Sequence, residues 1–311
     1  MVQPPSLKSL PRYPVTASVG AAALAVTAFW WSGRDIDGVT MNARVWERWD
    51  LWRALTSTLP HVNVFHLAFN LYWLWALGTL VERVYGHLRL AGIILLLALG
   101  SSLAEFALLN GGVGLSGVGY GLWAFLWALE RHDSRFAGAM DRQTSQTFVA
   151  WFFLCIVLTL TNVMPVANVA HAVGAGIGAL LGLAASGKGL ARWGIGAAAA
   201  AVVILCVAGS TVFWPWVNLS KNAEPEVERA GLEALLRSDG AKAIRLLDIS
   251  ARMRGAPARA WYNLGIAYQR LGRDEDAVAA YEHAAAMPDA TSEIQKAAEE
   301  MRFWTSKKPK R

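Results

Sequence analysis

Before residue 220 the chain alternates between long apolar runs and short polar breaks. A helix needs about 20 apolar residues to cross a bilayer. On that scale the runs predict membrane helices at about Val15–Trp31, Phe65–Leu80, Leu90–Leu109, Ser116–Glu130, Phe148–Asn162, Val166–Ala185 and Ile195–Phe213. The sixth run is rich in glycine, and the seventh is closed by Trp214-Pro215-Trp216. The polar stretch 32–64 carries Trp46, Trp49 and Trp52 among mixed charges, which suits a loop lying in the membrane interface.

Past residue 217 the pattern becomes that of soluble amphipathic helices. In residues 260–288, Trp261, Leu264, Gly265, Tyr268, Ala277, Tyr281, Ala284 and Pro288 fall on the tetratricopeptide pattern of paired antiparallel helices, with Gly272 at the turn. Residues 227–254 read as a weaker helical pair turning at Ser238-Asp239-Gly240, and residues 290–303 as a capping helix. The chain therefore divides into an N-terminal segment (1–14), a membrane domain (15–217), a helical tail (218–305) and a basic, disordered end (306–311). The fold class is all-α: a polytopic membrane bundle of six core spans plus one, with a small soluble tetratricopeptide-like tail. That tail reads equally as a rigid cap or as a groove for a peptide or protein ligand.

Composition agrees with this division. The chain is 55% hydrophobic and 17% charged, against about 25% charged in average soluble domains. Its net charge of +6 is spread along the chain and gives no reason to expect nucleic-acid binding. Lys8, Arg12, Arg83, Arg89, Arg131, Arg135, Arg142, Lys188 and Arg192 all fall on one side if the N-terminus is cytoplasmic, whereas loops 110–115 and 163–167 carry no Lys or Arg. The positive-inside rule then places the tail outside the cytoplasm. Loop 32–64, with four arginines, runs against the trend. The run after Lys8 and Arg12 ends in Phe29-Trp30-Trp31 without a small-residue cleavage signature, so it reads as a retained helix. Cys155 and Cys206 lie inside apolar runs and read as buried spectators. No metal-ligand cluster or cofactor motif is evident.

Polar groups inside apolar spans are expensive and draw attention to function. Ser116 stands between Gly114 and Gly117 at the start of the fourth run. Alone, such a serine reads as a close-packing residue. His66 and Asn70 lie four apart, on one helix face of the second run. His171 lies in the sixth run, followed by Gly174 and Gly178, a glycine face that admits another helix closely. Each of these also reads as helix glue, and Tyr120 as a core aromatic. Together they suit acyl transfer: a serine, a base, and donors for a tetrahedral oxyanion. No acidic third member is evident near His171. Glu105, in the third run, has no assigned role.

In these residues the sequence resembles the rhomboid intramembrane serine proteases. The resemblance covers about residues 40–185 and rests on Trp52-Arg53, His61, His66-x-x-x-Asn70, Glu82, Gly114-x-Ser116-Gly117, Tyr120 and Ala170-His171-x-x-Gly174-x-x-x-Gly178. It implies Ser116 as nucleophile and His171 as base, with His66, Asn70 and the Ser116 amide as the oxyanion hole. Tyr120 would stack on His171, and Trp52, Arg53 and Glu82 would support the first loop. It further implies a dyad without cofactor, in a bacterial-type inner membrane, that cleaves transmembrane segments of other membrane proteins. Substrate would enter between the second and fifth helices, past Trp151, Phe152 and Phe153. A catalytically inactive relative that binds transmembrane helices is the main alternative. A transporter would call for more intramembrane charge than this chain carries.

Overall fold

The computed structural model describes residues 2–307, and among these it contains helices and no strands. Six helices are long and apolar enough to cross a membrane. They are α1 (Pro14–Trp31), α2 (Val64–Tyr85), α3 (His87–Leu108), α5 (Arg142–Leu160), α6 (Asn168–Ser186) and α7 (Gly189–Ser210), with α4 (Ser116–Glu130) between the third and fourth of them. α2 passes through one π turn at Leu74–Gly78. The protein is an integral membrane protein built as an all-helical bundle.

α4 is the shortest of the helices expected to span. This helix has 15 residues, a length of about 22 Å at 1.5 Å per residue, against a hydrocarbon core of about 30 Å. Its apolar residues are placed around the whole helix because it is the core of the bundle: Val118, Tyr120, Leu122, Phe125, Leu126 and Leu129 are all buried. A helix apolar on every side belongs in an interior.

What places α4 against α6 is an absence of side chains. A Cβ at Gly174 would overlap the Gly117 carbonyl oxygen, one at Gly178 the Gly121 carbonyl oxygen, and one at Gly182 the Phe125 carbonyl oxygen. Glycines at four-residue steps thus bring the α6 backbone onto carbonyls of α4, the small-residue packing available to helices in lipid.

The first loop is compact. Arg53 is buried and donates from Nη1 to the Asp37 and Thr40 carbonyls at 2.7 and 2.8 Å. Its guanidinium also lies 4.8 Å from the Trp52 ring centre. Trp46 stacks on Trp214, which stacks on Phe106 and donates from Nε1 to the Phe106 carbonyl at 2.9 Å. These rings tie the loop to the end of α3 and to the segment after α7.

Glu82 departs from its expected place in supporting this loop. It lies at the far end of α2 and caps α1, accepting from the amides of Val15 and Thr16, from Thr16 Oγ1 and from His87 Nδ1. A carboxylate there meets the unpaired first-turn amides of α1 and the positive end of its dipole.

The chain splits into two compact units, one ending at Trp214 and the other beginning at Pro215. The second contains α8 (Ala223–Leu236), α9 (Gly240–Arg252), α10 (Ala258–Arg270), α11 (Asp274–Ala285) and α12 (Ser292–Lys307). Consecutive helices pack on one another, and Gly265 lies against the Tyr281 ring. Ser306 and Lys307, expected to be disordered, continue α12, whose buried stripe is Ile294, Ala298 and Met301. Residues 308–311 of that expectation lie outside the described residues.

Candidate active site

Ser116 is the first residue of α4, and the loop before it is fixed from two sides. The Gly114 amide donates to the Ser57 carbonyl at 3.2 Å, and the Leu115 amide donates to His61 Nε2 at 3.3 Å. Gly114 has φ +107, a conformation that side chains resist, and a Cβ there would strike the His66 ring. Glycine is therefore required at this position for both backbone and space.

His61 accepts at Nε2, so its proton sits on Nδ1, 2.8 Å from the Leu59 carbonyl. Burial, reinforced by the neighbouring His66, pushes its pKa down to about 4, with the Leu59 hydrogen bond pulling the other way. His61 is thus a neutral strut between the first loop and the serine loop.

On the opposite wall, His171 lies in the first turn of α6. Its Nε2 stands 2.8 Å from Ser116 Oγ. Its ring stacks on Tyr120 with centres 4.5 Å apart and planes at 28°. The Tyr120 hydroxyl donates to the Phe148 carbonyl at 3.1 Å, which holds the phenol in place. With the serine proton directed to Nε2, the neutral imidazole carries its own proton on Nδ1. That nitrogen is buried and has no partner among the described residues. A serine, an imidazole acceptor and an aromatic plate fixing the imidazole are the parts of an activated nucleophile.

The expected oxyanion donors are placed unequally. The Ser116 amide belongs to the first turn of α4, whose N–H groups have no intrahelical partner. The His66 ring faces Gly114 and the His61 ring, the latter at 4.8 Å between centres. Asn70 is buried and donates from Nδ2 to the His66 carbonyl at 2.9 Å, so one of its two amide protons is used within α2. Gly117 and Gly174 lie at the α4–α6 contact, and Gly178 one turn further along α6. Trp52 is half exposed under Arg53, away from the Ser116–His171 pair.

Between α2 and α5, Phe69 stacks on Trp151 at 5.0 Å and Trp73 meets Phe148 at 4.8 Å. Phe152 turns inward onto Tyr120, and Phe153 is largely exposed.

Sequence reasoning left Glu105 without a role. The structure buries it in the small polar cavity that also exposes Ser116, where its Oε2 accepts from the Ala170 amide at 2.9 Å. An acid within a membrane span is itself a signal of function. Its partner, a backbone amide on another helix, leaves no mark in sequence spacing.

The chain was also compared with known proteins. Residues 48–188 match the family model described as the rhomboid domain. A rhomboid protease GlpG from Enterobacter sp. is 33% identical over 138 residues, covering 44% of this chain and 49% of that protein. A second, from Pectobacterium atrosepticum, is 34% identical over 135 residues, covering 42% and 47%. The chain thus spans about half the length of the curated relatives it matches. The matched segment runs from the first loop to the end of α6, and over that segment the chain is similar to the rhomboid family.

Proposed function

We propose that the protein is an intramembrane serine endopeptidase that cuts transmembrane segments of other membrane proteins. The observation that carries this reading is the 2.8 Å approach of His171 Nε2 to Ser116 Oγ inside a bundle of membrane helices. Ser116 Oγ attacks the scissile carbonyl carbon while its proton passes to His171 Nε2. The tetrahedral oxyanion accepts hydrogen bonds from the Ser116 amide and from the side chains of His66 and Asn70. Such donors are worth about 3–4 kcal/mol each where they have been removed one at a time. The imidazolium then gives its proton to the departing amine, and water, deprotonated by the same imidazole, releases the acyl group. Tyr120 holds the imidazole ring at the serine throughout.

The short α4 fits this chemistry. A 15-residue helix is short enough to begin below one membrane surface, where water would have to be admitted by the fold. Substrate entry between α2 and α5 requires the Phe69–Trp151 stack to part. The charge pattern orients the protein in a bacterial-type inner membrane, with its N-terminus in the cytoplasm and the unit after Trp214 outside. That second unit has the spacing of tetratricopeptide helices, which serves equally a rigid cap or a groove for a peptide or protein.

The test is cleavage of a rhomboid-type model substrate by purified protein. Ser116→Ala and His171→Ala each abolish cleavage while leaving the thermal unfolding transition in place. Full activity in either variant refutes the dyad. A folded wild type that neither cleaves nor reacts with a serine-directed inhibitor refutes the protease assignment and leaves the helix-binding alternative. For orientation, a reporter fused after Lys221 is active only outside the cytoplasm; a cytoplasmic signal inverts the topology.

A further inference from the structure

His171 faces an electrostatic problem that its own helix creates. It is the fourth residue of α6 and must carry a positive charge during acyl transfer. A helix N-terminus carries about half a positive elementary charge, which opposes an imidazolium within the first turn. The residue before the helix, Ala167, has no side chain with which to cap it. His171 Nδ1 has no carboxylate or other partner among the described residues.

An acid on another helix reaches the same turn. Glu105, on α3, is 3% exposed. It accepts from the amide of Ala170 at 2.9 Å and from that of Val169. These are the second and third residues of α6, and Ala170 adjoins His171 in the chain. Both contacts need an acceptor oxygen, and a carboxylate makes such bonds about twice as strongly as a neutral group.

Other titratable groups surround this turn. They are Tyr120 on α4, which stacks on His171, Cys155 on α5 beside Tyr120, and His66 on α2 with His61 behind it. Glu105 is the acid of the set.

We propose that Glu105 is a positioning residue for His171. It caps α6 from a neighbouring helix and supplies, through two backbone amides, the negative charge that an acid bonded to Nδ1 would supply directly. The role rests on the protease reading above, because it concerns the base of that same site. It differs from ordinary capping in that the charge, and not only the acceptor oxygen, matters to His171.

The experiment compares wild type, Glu105→Gln and Glu105→Asp as full-length protein in detergent. Gln keeps an acceptor oxygen and removes the charge; Asp keeps the charge. With a model substrate, Glu105→Gln lowers kcat about tenfold at unchanged KM. It also moves the acid limb of the kcat/KM profile to lower pH by about one unit, because an imidazole without the nearby anion binds its proton less tightly. Glu105→Asp keeps the limb where wild type has it. A Glu105→Gln profile that falls evenly at every pH, or a Glu105→Asp limb displaced as far as that of Gln, overturns the proposal.

Carbon-13 NMR of labelled histidine in the Ser116→Ala background reads the His171 midpoint without any turnover. The midpoint drops by about one unit in Ser116→Ala/Glu105→Gln. An unchanged midpoint overturns the proposal even if the enzyme is active. A drop with no cleavage by wild type sustains the coupling while the protease reading fails on its own. If Glu105→Gln does not fold, carboxyl NMR of wild type decides the matter. A Glu105 resonance, assigned through the Ala170 amide, that is protonated at pH 7 overturns the proposal, and an ionised one supports it.

Discussion

Gly174→Ala tests the packing that brings serine and histidine together. The added methyl group would overlap the Gly117 carbonyl oxygen, a backbone atom that no side-chain rotation can move. Close-packed interiors have no slack for such an atom, so α4 and α6 must part by on the order of 1 Å. Gly174 lies about one turn from His171, and most of that displacement reaches the imidazole. The Ser116–His171 distance of 2.8 Å then exceeds the limit of a useful hydrogen bond. A misplacement of this size costs about 100-fold in rate, equivalent to about 2.7 kcal/mol of barrier. The accompanying overpacking costs about 1–3 kcal/mol of stability. The control is Gly176→Ala on the same helix, where a Cβ has no neighbour within 4 Å. Initial rates on a model substrate, taken below both unfolding transitions, give the comparison. Gly174→Ala falls by about two orders of magnitude and Gly176→Ala stays within a factor of about two. If Gly174→Ala is folded and as fast as Gly176→Ala, the close approach of α4 and α6 does not position the pair.

Two further predictions concern the scaffold. Arg53→Leu removes a buried guanidinium from the Asp37 and Thr40 carbonyls and destabilises the protein by about 3 kcal/mol or more, read as a lower thermal midpoint, while low-temperature labelling of Ser116 persists. Loss of labelling without loss of stability would give Arg53 a direct part in the site. His61 makes stability fall on acidification. The unfolded chain takes up its proton below about 6.5 and the folded protein only below about 4, so the contribution is complete above pH 6.5 and is lost as pH falls through that window. The full difference is at most about 3 kcal/mol, from 1.36 kcal/mol per unit. His61→Asn reduces the slope of thermal midpoint against pH between 4 and 6.5, and an unchanged slope would refute the assignment.

The residues that make up the candidate site were legible because each has a type and spacing with few other uses. A glycine-flanked serine at a helix start, a histidine on a glycine face and a His-x-x-x-Asn pair show in the string without any contact being known. Glu82 illustrates the opposite case. Its place closing the second span was legible and its expected support of the first loop is not what it does, because the partner that uses it, the start of α1, is more than sixty residues away in the chain.

The sequence by itself determined which segments are helical and apolar, where the polar groups interrupt them, and the family that residues 48–188 resemble. These follow from local patterns, since a helix satisfies its own backbone and its apolar length sets whether it can span a bilayer. Only the tertiary structure decided that α4 is a short central helix, that His171 Nε2 meets Ser116 Oγ, that His61 braces the serine loop, and that Glu105 caps the helix that carries His171. Each of these joins groups far apart in the chain, and all but the Ser116–His171 bond do so through a backbone carbonyl or amide. Backbone groups are the same at every position, so no residue pattern announces which of them a side chain will find.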